Sequence, residues 1–530
     1  MLIGYVSDEK YSALADVSLE FMNQEGQSWA THSRASGSVV LDLPPGSYKL
    51  VLQKPGFGSK FSNIRVPSTE PFQFRLLSDE LYGYAWPKMV RSGESSEFRV
   101  HSVEAYKLEL WRYGWNPQMV CSLGWHDEHA PRAVMQVTPD GDYTQTGVQW
   151  NKVGYANSVH SQHVCAPDRS GLYYFRASTA TGSEFSFPWI VAPAKPKFAL
   201  AVLASNLTWN AYNSFGGRSN YIHADGLPPT PTVNSRVELK RYSDKGFYTW
   251  RSGPYPPLSL DRPEPFNHIN FGEKITDPIE GRQACHLAPA EWRLLGWLER
   301  EQFQYDYYAE SQLHDGALDL SQYKVLITAV HPEYWTRRMY QLVKDWVFKQ
   351  KGRLVYLGGN GLNCEVELTQ DGAMLCHNEK LTGLDVKGLG GYESRYAIRH
   401  ESEANLLGVV FTPAGAMTGA PYRVVDDSHW VFDGTGLRNG DLFGEKSLHM
   451  RCPGGASGHE TDKVSASSPQ GIRHLAKGLN PDDGGAEMTI FESPSSGMVF
   501  SVGSINYVAS LPVDEKVSKI TSNVLRRFLS

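Results

Sequence analysis

The stretch from Val325 to Asn360 limits the possible fold more than any other part of the chain. Val325–Val330 is a short apolar run that reads as a buried strand, and it stops abruptly in His331, Pro332, Glu333, Tyr334 and Trp335. Thr336 can then cap a helix in which Met339, Leu342, Val343, Trp346 and Val347 keep the i, i+3, i+4, i+7, i+8 spacing, with Gly352 closing it. Arg353–Leu357 reads as a second strand and ends in Gly358, Gly359 and Asn360. Strand, helix and strand in this order imply parallel pairing through a right-handed crossover. The HPEYW and GGN segments then share one sheet edge, the edge where open α/β sheets bind ligands. The plainer reading of HPEYW is a loop with a surface glutamate and a core tryptophan.

The segments around this unit extend the pattern. Phe198 to Ala204 is a continuous apolar strand, and Ala290 to Phe303 reads as a helix with Pro289 at its start and Trp292, Leu295 and Leu298 on a core stripe. Between them, Asn206 to Glu273 is rich in Gly, Pro, Tyr and Asn and lacks clear periodicity; a loop this long inside a compact domain is usually functional. Upstream the chain reads as β. LPPGSYKLVLQKPGF sets a turn before an alternating strand with Tyr48, Leu50 and Leu52 on one face. The runs Glu97 to Val103, Lys107 to Arg112 and Gly171 to Ser178 continue it, with turn signals such as Pro139-Asp140-Gly141 between them. The expected architecture is therefore multi-domain, β plus α/β: a small prealbumin-like β-sandwich over 1–76, an immunoglobulin-like β-sandwich over 77–193, and an α/β domain over 194–530 entered through the hinge APAKPK.

Composition excludes some function classes. At 530 residues the chain is too long for one core, and a net charge of -6 without blocks of like charge argues against nucleic acid as a partner. No apolar run reaches bilayer length, so no membrane partner is expected. The opening MLIGYVSDEKYS lacks a basic start and a long apolar stretch, which reads as no signal peptide. Six cysteines without a CxxC pair fit reduced thiols in a cytoplasmic protein.

The long insertion opens with SNLTWNAYNSFGGRSNY directly after its strand, so Tyr212 projects from the same sheet edge, and Tyr255 follows among the prolines of GPYPPLSLDRP. With 27 tyrosines in the chain, most are core or interface aromatics with a satisfied hydroxyl. Two phenolates and a carboxylate, however, make a hard all-oxygen donor set suited to a strongly Lewis-acidic metal, because only a highly charged ion holds tyrosine as phenolate at neutral pH. Spacing alone does not select such a trio.

TWNAYNSFGG, LSLDRP, HPEYW, LGGN and SGHETD occur in that order, and together they resemble the large subunit family of N,N-dimethylformamidase over roughly residues 198 to 530. The resemblance implies a C-terminal domain of glutamine-amidotransferase-like, flavodoxin-related topology. It also implies one ferric iron per chain, held by Tyr212, Glu333 and a second tyrosine. Tyr255 is taken for that place, with Tyr221 and Tyr248 as rivals. His331 and Asn360 fall where the family lines the metal pocket, and Glu460 of SGHETD matches its catalytic carboxylate. No motif anchors Lys380 to the family's pocket lysine.

The implied chemistry is metal-assisted hydrolysis of a small or N-substituted amide, with Glu460 as general base and His331 and Asn360 orienting water or stabilising the oxyanion. The plainer readings are a solvated loop carboxylate for Glu460, a loop cap for Asn360 and support of Glu333 for His331. Glutamine amidotransferases carry a nucleophilic cysteine at a strand-to-helix turn; the comparable turn here holds Asn360, and Cys364 lies beyond it, so a cysteine amidase is not expected. The family also implies a homo-oligomer, dimer or higher, and a separate small subunit. Two other readings stand beside this one: a carbohydrate- or protein-binding module built on the sandwiches, and a family member that kept the fold and lost the metal.

Overall fold

The computed structural model describes residues 1–126, 138–150, 162–233, 255–378 and 393–530. Its largest sheet has nine strands. Across it lie Asp306–Ala309, Leu200–Ala204, Val325–Val330, Arg353–Gly358 and Met498–Ser501, each parallel to its neighbour. Numbered by position in the chain, these five run 2-1-3-4-5. The sheet continues antiparallel through Glu487–Glu492, Arg473–Gly478, Tyr422–Val424 and Leu442–Phe443. The central strands Leu200–Ala204 and Val325–Val330 are apolar except for Thr328 and buried along their whole length, because both their faces are covered.

Helices Ala288–Arg300 and Glu515–Leu529 share one core with this sheet, and the helix Arg337–Gln350 belongs to another. Thr336 caps the last of these as its sequence predicts, its hydroxyl accepting from the Met339 N–H at 3.2 Å. The apolar stripe differs from expectation at one place. Leu342 is exposed, and Tyr340, on the opposite flank of the stripe, is buried, its hydroxyl donating to the Ser402 carbonyl. The helix closes on Lys351 in the left-handed region, one residue before the expected Gly352. The strand expected from Phe198 starts at Leu200, and Phe198 itself is exposed.

The N-terminal third is β. A four-stranded and a three-stranded sheet enclose a core that runs to Leu76, with Tyr48, Leu50 and Leu52 inside it. A five-stranded and a three-stranded sheet enclose the next core, from Leu77 to Trp189 and Val191, joined by Phe215 of the long insertion. This second β region is packed closely onto the α/β part. The Trp292 indole donates to the Gly114 carbonyl at 2.8 Å, and Arg112 pairs with Glu299 at 2.5 Å.

Candidate active site

Three chain reversals at one edge of the large sheet build the site, and each uses a residue in the left-handed region: Val330 (φ 62), Asn360 (φ 50) and His459 (φ 68). For a β-branched residue such as Val330 this conformation is costly, and it occurs where the strand still pairs with Gly358 on one side, two residues past the end of its pairing with Leu200–Ala204. The reversal turns His331 and Glu333 inward, and Glu333 is fastened by its own N–H to Thr208 Oγ1 at 3.1 Å. Gly359 permits the third segment to approach. A Cβ there would lie 2.5 Å from the Glu460 carbonyl oxygen and 2.8 Å from the Ile505 nitrogen, both backbone atoms.

Glu333 is the hub. Its Oε2 accepts from the Tyr212 hydroxyl at 3.1 Å and the Tyr221 hydroxyl at 2.7 Å, and the two phenol rings stack with centroids 4.1 Å apart. His331 Nε2 lies 3.3 Å from that oxygen and also 3.3 Å from Oε2 of Glu460, so one imidazole joins two carboxylates. Asn360 Nδ2 donates to the same Glu460 oxygen at 2.6 Å and is itself held by Asn363. Behind His331, its Nδ1 meets His286 Nδ1 at 2.9 Å.

Burial, and then the charge of Glu333, drive the Tyr212 and Tyr221 hydroxyls well above the usual tyrosine range. Burial also opposes charge on His331 and Glu460, but their contact overcomes it: the imidazole is raised and the carboxyl lowered. The contact therefore favours the charged form of each partner.

Of the residues expected from sequence, Tyr212, His331, Glu333, Asn360 and Glu460 form one connected cluster. Tyr255 is buried beside the four-stranded sheet that contains Tyr334–Trp335, its N–H donating to the Cys376 carbonyl at 3.2 Å. The second phenol placed on Glu333 is that of Tyr221. Tyr248 and Lys380 lie outside the described residues. Sequence reasoning missed Arg395, whose Nη2 donates to Glu333 Oε1 at 2.9 Å; a lone arginine 62 positions away gives no local signal. It also missed the part played by SLDRP. Arg262 is fully buried and donates to the carbonyls of Asn213 and Phe215 and to Asn210 Oδ1, which pins the loop carrying Tyr212. Asp261 reaches the second β region, accepting from Arg99 at 2.7 Å and Tyr84 at 2.5 Å.

Among the described residues, no group of three or more His, Cys, Asp or Glu is placed to hold a metal ion. Two phenols and a carboxylate are a different donor set. Their oxygens meet at Glu333 Oε2, and with both phenols ionised by a bound metal the three oxygens would balance a trivalent cation. The residues present fit a hard, highly charged ion.

The sequence comparisons define the class. Residues 107–521 match the family described as N,N-dimethylformamidase beta subunit-like, C-terminal, and the chain belongs to that family. Among curated proteins it is 27% identical over 293 residues to the N,N-dimethylformamidase beta subunit of Alcaligenes sp, covering 46% of this chain and 37% of that one. It is 26% identical over 414 residues to the subunit of the same name from Paracoccus aminophilus, covering 66% of this chain and 51% of that one. The chain thus spans about half the length of these relatives or less, 37% of one and 51% of the other. Among solved structures, BcpA, the major pilin subunit of Bacillus cereus, is 10% identical with a TM-score of 0.15, covering 38% of this chain and 71% of that one. A DUF3823 family protein from Bacteroides ovatus is 12% identical with a TM-score of 0.14, covering 36% and 96%. Scores this low carry no argument about fold.

Proposed function

We propose that the chain is an iron-dependent hydrolase of a small or N-substituted amide. The observation that carries the reading is the meeting of two buried phenols on one oxygen of Glu333, beside a second carboxylate, Glu460. Ferric iron would be held by Glu333, Tyr212 and a second tyrosine. The hydrogen bond to Glu333 supports Tyr221 for that place, and motif position supports Tyr255. When bound, the ion supplies Lewis acidity toward an amide carbonyl or a water molecule.

The chain's own groups do the proton work. Glu460 is the general base that takes a proton from water and delivers it to the departing amine. About a fifth of its side-chain surface is open to solvent, so water reaches it. Asn360 donates a hydrogen bond to Glu460 Oε2 and His331 Nε2 lies within ion-pair distance of it, which supports a role for both in holding that base and in meeting the oxyanion. Cys364 supports no competing cysteine mechanism, since burial pushes its thiol up to about 12. The parallel strand order 2-1-3-4-5 supports the flavodoxin-related topology of the catalytic part.

The relatives are named as subunits, which supports an oligomer and a separate partner subunit for this chain. Six free thiols support a reducing, cytoplasmic compartment. Among the described residues, no helix is long and apolar enough to cross a membrane.

The test is iron content and the visible spectrum of the purified protein, wild type beside Tyr212→Phe, Tyr221→Phe and Tyr255→Phe. Near-stoichiometric iron with a phenolate charge-transfer band is expected. The band should be lost or altered in Tyr212→Phe and in one of the other two, which identifies the second ligand. Colourless protein that cannot be loaded with iron overturns the reading.

A further inference from the structure

The hydrogen bonds around Glu333 close into a ring. Arg395 donates Nη2–H to Glu333 Oε1 at 2.9 Å and Nη1–H to Asn378 Oδ1 at 2.7 Å. Asn378 Nδ2 donates to Asn220 Oδ1 at 2.5 Å, and Asn220 Nδ2 to the Tyr334 oxygen at 2.7 Å. The Tyr334 hydroxyl donates to the Tyr221 oxygen at 2.7 Å, and Tyr221 donates to Glu333 Oε2 at 2.7 Å. Arginine can only donate and a carboxylate can only accept, so every amide and hydroxyl between them has its direction fixed. All these residues are buried except Tyr221, which is partly so. In such surroundings successive hydrogen bonds strengthen one another.

We propose that Arg395, through this ring, is a positioning residue that holds Glu333 Oε1 away from the metal, so that Glu333 offers Oε2 alone. The inference rests on the iron reading above for its consequence, and on the hydrogen bonds alone for the ring. Arginine stays protonated at any working pH, so its hold on Oε1 is not released by proton loss. A carboxylate free at both oxygens can chelate, and chelation would occupy one more position around the ion. Withholding Oε1 keeps that position for water or the amide. The loop bearing Asn220 and Tyr221 is tied to the same guanidinium, so the orientations of Glu333 and of the Tyr221 ring are set together.

Two experiments on the full chain test this. First, Arg395→Met and Arg395→Lys are loaded with ferric iron alone and read by iron content, visible absorption and electron paramagnetic resonance. We expect Arg395→Met to keep its iron while both spectra shift as Glu333 closes on the ion with two oxygens. Arg395→Lys, which retains a cation for Oε1, should stay close to wild type. Wild-type spectra in Arg395→Met overturn the proposal. Should that variant fail to fold, Asn378→Ala is loaded instead, with a smaller shift in the same direction expected and no shift overturning it.

Second, Tyr334→Phe, Asn378→Ala and the double variant are unfolded in urea without metal. Tyr334 and Asn378 are joined through Asn220, which hydrogen-bonds to both. A ring predicts a double-variant loss smaller than the sum of the single losses, and additive losses overturn the ring. If the wild type takes up no iron, the proposed function falls and this cycle still judges the ring.

Discussion

Asn360 Nδ2 lies 2.6 Å from Oε2 of Glu460, so two side chains exactly a hundred positions apart form one unit at the mouth of the site. The amide has no charge of its own and supplies a directed donor. Replacing it by aspartate sets two carboxylates against each other. On an amide substrate, Asn360→Asp should lower kcat/KM by about 10²-fold or more, and the buried like-charge contact should lower the urea midpoint as well. Unchanged kinetics would remove Asn360 from the proposed catalytic group.

Gly359→Ala is expected to damage the site without touching any polar group in it. The added methyl would meet the Glu460 carbonyl oxygen and the Ile505 nitrogen inside van der Waals distance. Backbone cannot swing aside as a flexible side chain can, so the Asn360 and Glu460 segments must part. Activity should fall at least as far as in Asn360→Asp, and thermal denaturation should show a lower midpoint. A fully active, fully stable variant would contradict the close approach.

Arg262→Ala should destabilise the protein by roughly 3–5 kcal/mol, the usual cost of breaking a buried charged network. It removes donors to Asn213, Phe215 and Asn210 together. Burial, and then the neighbouring Arg218, already lower its pKa to about 9, so lysine is a poor replacement. Urea unfolding measures the loss. A loss below about 1 kcal/mol would mean that the insertion is held by other contacts.

Glu291 gives stability a pH dependence that one substitution removes. It is buried against the Trp209 indole, the Ser205 N–H and the Tyr307 hydroxyl, and burial raises its carboxyl to about 7. The folded protein keeps a proton that the unfolded chain releases near pH 4.5. Its contribution is most favourable below that pH and is lost as pH rises to about 7, reaching roughly 3 kcal/mol. Glu291→Gln keeps the shape without the titration. The stability difference between wild type and variant should therefore move in the variant's favour between pH 5 and pH 8. A constant difference would contradict a raised carboxyl.

The parts of the fold legible in the sequence were those with a period. Thr336 and the stripe from Met339 to Val347 predicted a helix whose cap and buried face are present, and the apolar runs at Val325 and Arg353 are the central strands. Leu342 fell outside the core because the buried face is turned toward the opposite flank of the stripe, where Tyr340 sits and donates to the Ser402 carbonyl. Glu333, His331 and Asn360 were legible because a strand end fixes where its next residues go. The second phenol on Glu333 was not, because Tyr221 and Tyr255 both sit in an insertion without period, where spacing says nothing about direction. Arg395 was invisible for a similar reason: its role depends on a contact between segments that share no pattern.

Asp261 has a consequence for how this protein can be divided. The residue after it in the chain, Arg262, secures the loop of Tyr212, while Asp261 itself is anchored on Arg99 and Tyr84, far upstream. Cutting the chain near residue 194 would leave that anchor without its berth, even though every residue around Glu333 would still be present. A piece that keeps the loop of Tyr212 anchored as it is here therefore starts before the sheet that carries the site, and takes the second β region along.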